Sequence, residues 1–380
     1  MSDRVIGRAL VIGAGVAGLT TALSLKERGI SPIVVAENFA PDLTSVVAGA
    51  LWEWPPAVCG YHHDEVSLDR SKRWCMSSYR KFETLLSDPS NGVSIRPVTF
   101  YFRNRIEENE FHHLKMNEIE QVVPGFLRDA ELIKRNGINQ NIGLIDAYQH
   151  LAPMVDTDVY MRWLRQKCRQ AGIFLLRRKL TGLLVDQEDQ LKREFDVQVI
   201  VNCAGLGSRE LAGEYMYPLR GALIRLVNDG EIIPRLTEAH CVSHDNVTGV
   251  DEIIFIVPRG KDRIVLGALA EADQWSKDID LTNHEPIRRM YDRCIEFLPE
   301  LKNARLDPVE PVRVGLRPFR RNNVRVDAVE GTSIIHNYGH GGAGVTLSWG
   351  CAAEAADYAR ALLDRMPVDA DDVDARKMVA

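Results

Sequence analysis

Apolar residues follow two different rhythms along this chain. Residues 9–12 and 33–36 are short unbroken apolar runs, and a stretch of helical character, residues 19–28, lies between them. Unbroken runs of that length predict strands buried on both faces, as in a parallel sheet. Residues 91–115 instead carry spaced apolar positions (Val93, Ile95, Val98, Phe100 and Phe102), which predict strands of a separate sheet. Further strands are expected near 142–154, 172–176, 197–201, 219–226, 252–257, 263–269 and 312–316. Helices are expected over 64–85, with Trp74, Tyr79 and Phe82 packed, and over 156–170, with Thr157 or Asp158 as cap and Tyr160, Leu164 and Cys168 in phase. Two more are expected over 285–297, with Ile287, Met290 and Cys294 inward, and over 346–363. Residues 114–132 look irregular, with a turn at Pro124 and Gly125, and the tail 369–380 is expected to fray. The chain shows no internal repeat.

The first run leads straight into Gly13-Ala14-Gly15-Val16-Ala17-Gly18, and the second ends on Glu37. In that setting Gly13 makes the tight turn, Gly15 admits a phosphate to the backbone, and Gly18 lets helix and strand pack closely. The helix start then faces a pyrophosphate and Glu37 is placed to take ribose hydroxyls, which is the chemistry of dinucleotide binding. Residues 41–56 mix small residues with two tryptophans. They read equally as a loop along a flat ring, with Thr44 and Ser45 bonding phosphate or ribityl oxygens, or as a short element packed in the core. Residues 202–207 and 333–347 both pass from an apolar run into glycines, as a ligand-facing turn would. Arg317, between Gly315 and Pro318, offers a planar fork for a carboxylate, but Arg313, Arg320 and Arg321 stand beside it, and spacing alone also allows a surface arginine.

Composition narrows the setting. The 380 residues, 45% of them hydrophobic, suffice for a large core in two domains or one with a large insertion. A formal charge of -6 gives no case for nucleic acid. Seven cysteines without a C-x-x-C pair argue for a reducing compartment and against a disulfide scaffold or structural metal site. No apolar run approaches the roughly 18 residues of a membrane span, and the first strand follows too soon for a signal peptide. A soluble cytoplasmic protein is expected, and the terminal Met378-Val379-Ala380 is not a peroxisomal tripeptide.

The chain resembles the D-amino-acid oxidase family, flavoproteins that include D-aspartate oxidase, over about residues 6–360. Gly13, Gly15 and Gly18 fit its FAD fingerprint, and residues 44–52 are similar to its TTxxAAGLW loop. Residues 202–205 resemble its NCTG turn, residues 315–318 its G-x-R-P motif, and residues 336–346 its HNYGHGGxGxT motif almost letter for letter. The resemblance implies an α/β fold, with a Rossmann-like FAD-binding domain interleaved with a mixed-sheet substrate domain. FAD segments are expected at 1–90, 151–218 and 316–368, and substrate segments at 91–150 and 219–315.

It implies FAD held by Gly13, Ala14, Gly15, Val16, Gly18, Glu37, Asn38, Thr44, Ser45, Ala48, Gly49, Ala50, Leu51 and Trp52; non-covalent binding is expected because no His or Cys stands in an attachment motif, with His62 and His63, close after the ring-side loop, as the residues that leave a covalent link open. Later in the chain the same role falls to Ala204, Gly205, Gly339, Gly341, Gly342, Ala343, Gly344, Val345 and Thr346. On the substrate side it implies Arg317 on the carboxylate and a backbone carbonyl near Gly341 on the amine. The implied reaction moves the α-hydrogen of a D-amino acid to flavin N5, with dioxygen as acceptor and 2-oxo acid, ammonia and peroxide as products. No nucleic acid or membrane partner is implied, and a homodimer is compatible with it.

Two departures stand out. Phe255, in residues 253–258, replaces the tyrosine of the family's SPY-I-I-P stretch, and Asp251 replaces a lid tyrosine of the mammalian members. One carboxylate donor is thereby missing. Asp251 either lines the entrance and disfavours acidic side chains, or lies on a solvated loop beside Glu252. A restricted D-amino-acid substrate is expected. A glycine or sarcosine-type amine oxidase, a flavin dehydrogenase with another acceptor, and a non-catalytic FAD-binding protein are the alternatives.

Overall fold

Two sheets divide the molecule. The computed structural model describes residues 5–56, 62, 64–242, 253–267 and 269–365. The smaller sheet has six strands in the order Arg325–Ala328, Ile334–Tyr338, Val199–Asn202, Gly7–Ile12, Ile30–Ala36 and Phe174–Arg177. All its pairings are parallel except the first. Its central strands are apolar without alternation because both faces are covered. Leu10, Ile12, Val35 and Ile200 pack with Leu184 and Leu191 of the helix Leu184–Phe195. Val11, Val34 and Val201 pack with the helices Val16–Glu27 and Ser348–Arg365 on the other side. A third helix, Glu65–Leu85, crosses Ser348–Arg365 so closely that a Cβ on Gly350 would stand 2.3 Å from the Trp74 backbone.

The larger sheet has nine strands among the described residues. Its long strand Met216–Val227 pairs antiparallel with Val312–Arg320, Arg263–Gly267 and the short Glu271–Ala272. The order then runs through Ile254–Arg259, Ala239–Val242, Val93–Phe102 and Asp146–Val155 to Leu127–Arg128. One face, with Ile224, Ile256, Ile264 and Leu266, is covered by the helix Glu285–Phe297 through Ile287, Met290 and Cys294. The opposite face, with Leu223, Val265, Phe255 and Cys241, joins the core shared with the smaller sheet. The mixed α/β architecture, a Rossmann-like region beside a separate mixed sheet, is the fold class expected from the sequence.

Several expected elements are corrected. The strand from 91–115 ends at Phe102, and residues 110–122, expected as strand and irregular chain, form the helix Glu110–Val122. Its buried positions include His112 and Lys115 beside Met116 and Ile119, so its inner face does not read as apolar. The first helix begins at Val16, three residues before the expected start, directly after Gly15, whose backbone is still extended (ψ -178°). Asp156, not Thr157 or Asp158, caps the helix Thr157–Gln170 by accepting from the amides of Asp158 and Val159. The last helix begins at Ser348 rather than Thr346. The strand expected to end at Leu316 runs on to Arg320, with Pro318 opposite Pro218. The tail 369–380 and Asp251 lie outside the described residues.

Candidate active site

A cleft of about 630 Å³ lies between the two sheets. At one end the turn after Gly7–Ile12 meets the start of the helix Val16–Glu27. Gly13 has φ +109°, and a Cβ there would stand 2.4 Å from the Cys203 carbonyl oxygen. A Cβ on Gly18 would stand 1.9 Å from the Gly13 carbonyl oxygen, so the helix rests directly on the turn. Gly15 is different, since its Cβ would meet only the Ser45 hydroxyl, at 3.1 Å. The Val16 amide donates to Ser45 Oγ at 2.9 Å, and no acidic side chain stands in the first helical turn. Amides gathered at a helix start with no internal anion suit a phosphate. Glu37 follows the strand end and lies 3.3 Å from Lys179 Nζ, both of them lining the cleft.

The segment from Thr44 to Glu53 lines the cleft through Thr44, Ser45, Val47, Ala48, Gly49, Ala50, Leu51 and Glu53. Thr44 donates to the Leu316 carbonyl, tying the loop to the strand that carries Arg317. The buried Arg259 guanidinium donates to the carbonyls of Ala48 at 2.6 Å and Gly49 at 2.8 Å and to Thr157 Oγ1 at 2.6 Å. Burial pushes that guanidinium down to about 10. Where the family pattern has Ala-Ala-Gly, this chain has Ala48-Gly49-Ala50. A Cβ on Gly49 would stand 2.7 Å from the Phe255 ring, so glycine at 49 makes room for that ring. Ala50 then carries the left-handed conformation (φ +54°) that glycine holds more easily.

The opposite wall comes from the segments after Val199–Asn202 and Ile334–Tyr338. Gly341 has φ +54°, donates to the Pro318 carbonyl at 3.0 Å, and lies against the Phe319 ring, which a Cβ would approach to 2.8 Å. His340 lines the cleft with its Nε2 buried and without a hydrogen-bond partner among the described residues, and Asn337 Oδ1 is in the same position. Burial holds the imidazole down at about 4, so it is neutral. Orphaned buried polar atoms call for an external partner. Together with the glycine cradle they fit a large planar cofactor with hydrogen-bonding edges.

Arg317 is half-buried and lines the cleft. Its guanidinium lies over Gly221, where a Cβ would stand 2.4 Å from Nη2, and donates to the Leu269 carbonyl at 3.0 Å. It has no carboxylate partner among the described residues, and burial pushes it down to about 10. Its neighbours are occupied. Arg313 pairs with Asp158 and Glu310, Arg320 with Glu214, and Arg321 lies 4.8 Å over the Tyr215 ring. An enclosed cation without an internal anion requires one from outside.

The cleft gathers Gly13, Ala14, Gly15, Val16, Glu37, Asn38, Thr44, Ser45, Ala48, Gly49, Ala50 and Leu51. It also gathers Ala204, Gly205, Phe255, Arg317, Gly341, Gly342, Gly344 and Val345. Five expected cofactor residues do not line it. Trp52 turns into the core, where its indole donates to the Cys75 carbonyl and meets Tyr79 edge-on. Thr346 reaches the Leu51 carbonyl at 3.5 Å, and Ala343 is buried behind the glycines. Gly339 packs under the Arg320 side chain, and Gly18 acts on the turn rather than in the cleft. The sequence reading missed Gly221, Arg259 and Glu53. Nothing in local spacing marks them, since each matters through a partner far along the chain.

The chain as a whole is similar to known proteins. Residues 8–358 match the family model described as FAD dependent oxidoreductase. The chain is 35% identical over 367 residues to the D-amino-acid oxidase of Rubrobacter xylanophilus, covering 96% of this chain and 99% of the relative. It is 34% identical over 365 residues to the D-amino-acid oxidase of Streptomyces coelicolor, covering 94% and 98% respectively. The solved glycine oxidase of Bacillus cereus shares the fold, with TM-score 0.71, 18% identity, and coverage of 96% of this chain and 100% of that one.

Proposed function

Because this chain belongs to the FAD dependent oxidoreductase family, we propose that it oxidises a D-amino acid to the 2-oxo acid, with ammonia and hydrogen peroxide as the other products. The observation that carries this reading is Arg317, a cleft-lining guanidinium with no carboxylate of its own among the described residues. Its planar fork takes the substrate carboxylate bidentately. The His340 carbonyl already accepts from the Ala343 amide, so the carbonyls of Gly341 and Gly342 are the candidates to orient the amine. Phe255 adds no donor, and its ring gives the substrate an apolar wall. FAD held in the glycine cradle would supply the two-electron acceptor for the α-hydrogen, with dioxygen as the final oxidant. The protein contributes position: two fixed points hold the α-carbon, and the apolar wall excludes water.

The test is anaerobic mixing of holoenzyme with both enantiomers of alanine and methionine, and with glycine and sarcosine. Bleaching of the flavin band by D-forms, followed by peroxide on admission of air, is the expected result. Bleaching by L-forms or glycine alone removes the reading, and bleaching without peroxide reassigns the acceptor.

The flavin is held without a covalent bond. Among the described residues, the cysteines that line the cleft, Cys203 and Cys241, are buried, and burial pushes the Cys203 thiol up to about 12 and the Cys241 thiol well above its ordinary value. Neither is a thiolate nucleophile at neutral pH. Acid or heat denaturation should therefore leave all flavin absorbance in the supernatant, and colour in the washed precipitate would contradict this.

A further inference from the structure

Arg317 marks the end of the cleft that takes a carboxylate, and a negative charge lies towards the other end. The floor between them is the inward face of the larger sheet. It runs strand by strand from Gly221 and Leu223 through Gly267 and Phe255 to Cys241, all apolar. The wall beyond includes Glu53, which acts electrostatically on both Cys241 and Tyr148. Glu53 belongs to the loop that begins at Ser45 on the helix start and passes beneath Phe255 at Gly49. It is therefore at the loop end remote from the nucleotide.

Glu53 is 9% exposed and receives Lys115 Nζ at 2.9 Å. Lys115 comes from the helix Glu110–Val122, is 5% exposed, and lies 5.2 Å over the Phe100 ring. The carboxylate lines the cleft and the ammonium does not, so the carboxylate is the member of the pair that a ligand meets. Burying such a pair gives little net stability, and an apolar pair of the same volume would do as well.

We propose that Glu53, fixed in place by Lys115, is the side-chain subsite of this cavity and selects D-amino acids with a cationic side chain, of the lysine and arginine class, over acidic ones. This rests on the D-amino-acid reading above and adds the identity of the side chain to it. Opposite charges at the two ends also fix direction, since the substrate carboxylate is attracted to Arg317 and repelled by Glu53.

The wild-type holoenzyme tests this without any variant. D-Norleucine has the carbon chain of D-lysine without the ammonium. The expected kcat/KM for D-lysine exceeds that for D-norleucine by roughly tenfold or more, the effect of one charge-assisted bond, with D-glutamate poorest. The pair 6-aminohexanoate and hexanoate, read as a shift of the flavin absorbance, gives the same comparison as binding constants without turnover. In Glu53→Gln the lysine-to-norleucine ratio should collapse towards one, and D-glutamate should gain because Lys115 has lost its carboxylate. In the double variant Glu53→Gln, Lys115→Met both charge preferences should vanish. Reduction by D-norleucine with no advantage for D-lysine in the wild type overturns the subsite alone. Failure of every D-amino acid to reduce the flavin overturns the functional reading and the subsite with it.

Discussion

Arg317→Met is expected to purify as a yellow, folded protein whose kcat/KM for its D-amino acid has dropped by two to three orders of magnitude. The side chain lines the cleft, and its one hydrogen bond among the described residues is to the Leu269 carbonyl, so the fold has little to lose. A substrate carboxylate taken out of water without its guanidinium forfeits about 3–4 kcal/mol, and 1.4 kcal/mol is one decade. Lysine at this position should recover only part, because a point charge does not reproduce the fork. Gly221→Ala supplies an independent arm: its new Cβ falls 2.4 Å from Nη2 and 2.5 Å from Cζ, so the guanidinium must leave its place although the charge remains. Steady-state kinetics on the three variants, with flavin content measured in each, check this. Arg317→Met with wild-type kcat/KM on a carboxylate substrate would take the residue out of the site.

Gly18→Ala should act on the cofactor instead. The added methyl would sit 1.9 Å from the Gly13 carbonyl oxygen and 2.8 Å from its carbon, both backbone atoms held in the turn. Neither can swing aside as a side-chain tip would, so the helix must lift from the turn and carry its first amides with it. Overpacking of this kind costs about 3 kcal/mol, enough to weaken FAD binding by roughly two orders of magnitude. The protein should emerge largely as apoprotein with a lowered Tm that excess FAD partly restores, because ligand binding stabilises by mass action. Gly15→Ala meets only Ser45 Oγ, at 3.1 Å, and should leave the Tm of the apoprotein nearly unchanged. Fluorescence titration with FAD and thermal melts of both apoproteins separate the two cases. Equal loss of apoprotein Tm in both would show that the Gly18 contact is not what holds the turn.

Legibility varied with the kind of interaction. The helix Glu285–Phe297 was plain because Ile287, Met290 and Cys294 face one apolar core. The helix Glu110–Val122 escaped because its inner face holds two polar residues, His112, which meets Phe102 edge-on, and Lys115, whose partner Glu53 lies 62 positions away. Periodicity reports which positions are buried only where burial and hydrophobicity coincide. Trp52 was misplaced for a related reason. Its neighbours Leu51 and Glu53 line the cleft, but in an extended stretch successive side chains point opposite ways, and Trp52 faces Tyr79 and the Cys75 carbonyl.

By itself the sequence determined the dinucleotide turn, the long glycine motif at residues 336–346 and the division into two kinds of sheet. Those depend on neighbours within a few residues, where glycine conformations and runs of apolar side chains act locally. Spacing left open which arginine faces the cleft, the G-x-R-P resemblance pointed to Arg317, and the tertiary structure supplies the physical reason. Arg313, Arg317 and Arg320 are alike in sequence, and only folding brings Asp158 and Glu214 to two of them and Gly221 beneath the third. It also decided that Gly49 makes room for Phe255, residues 206 positions apart, and that Glu53 meets Lys115 across 62. Charge pairing and steric fit act through space between segments that the fold brings together, so no window along the chain contains both partners.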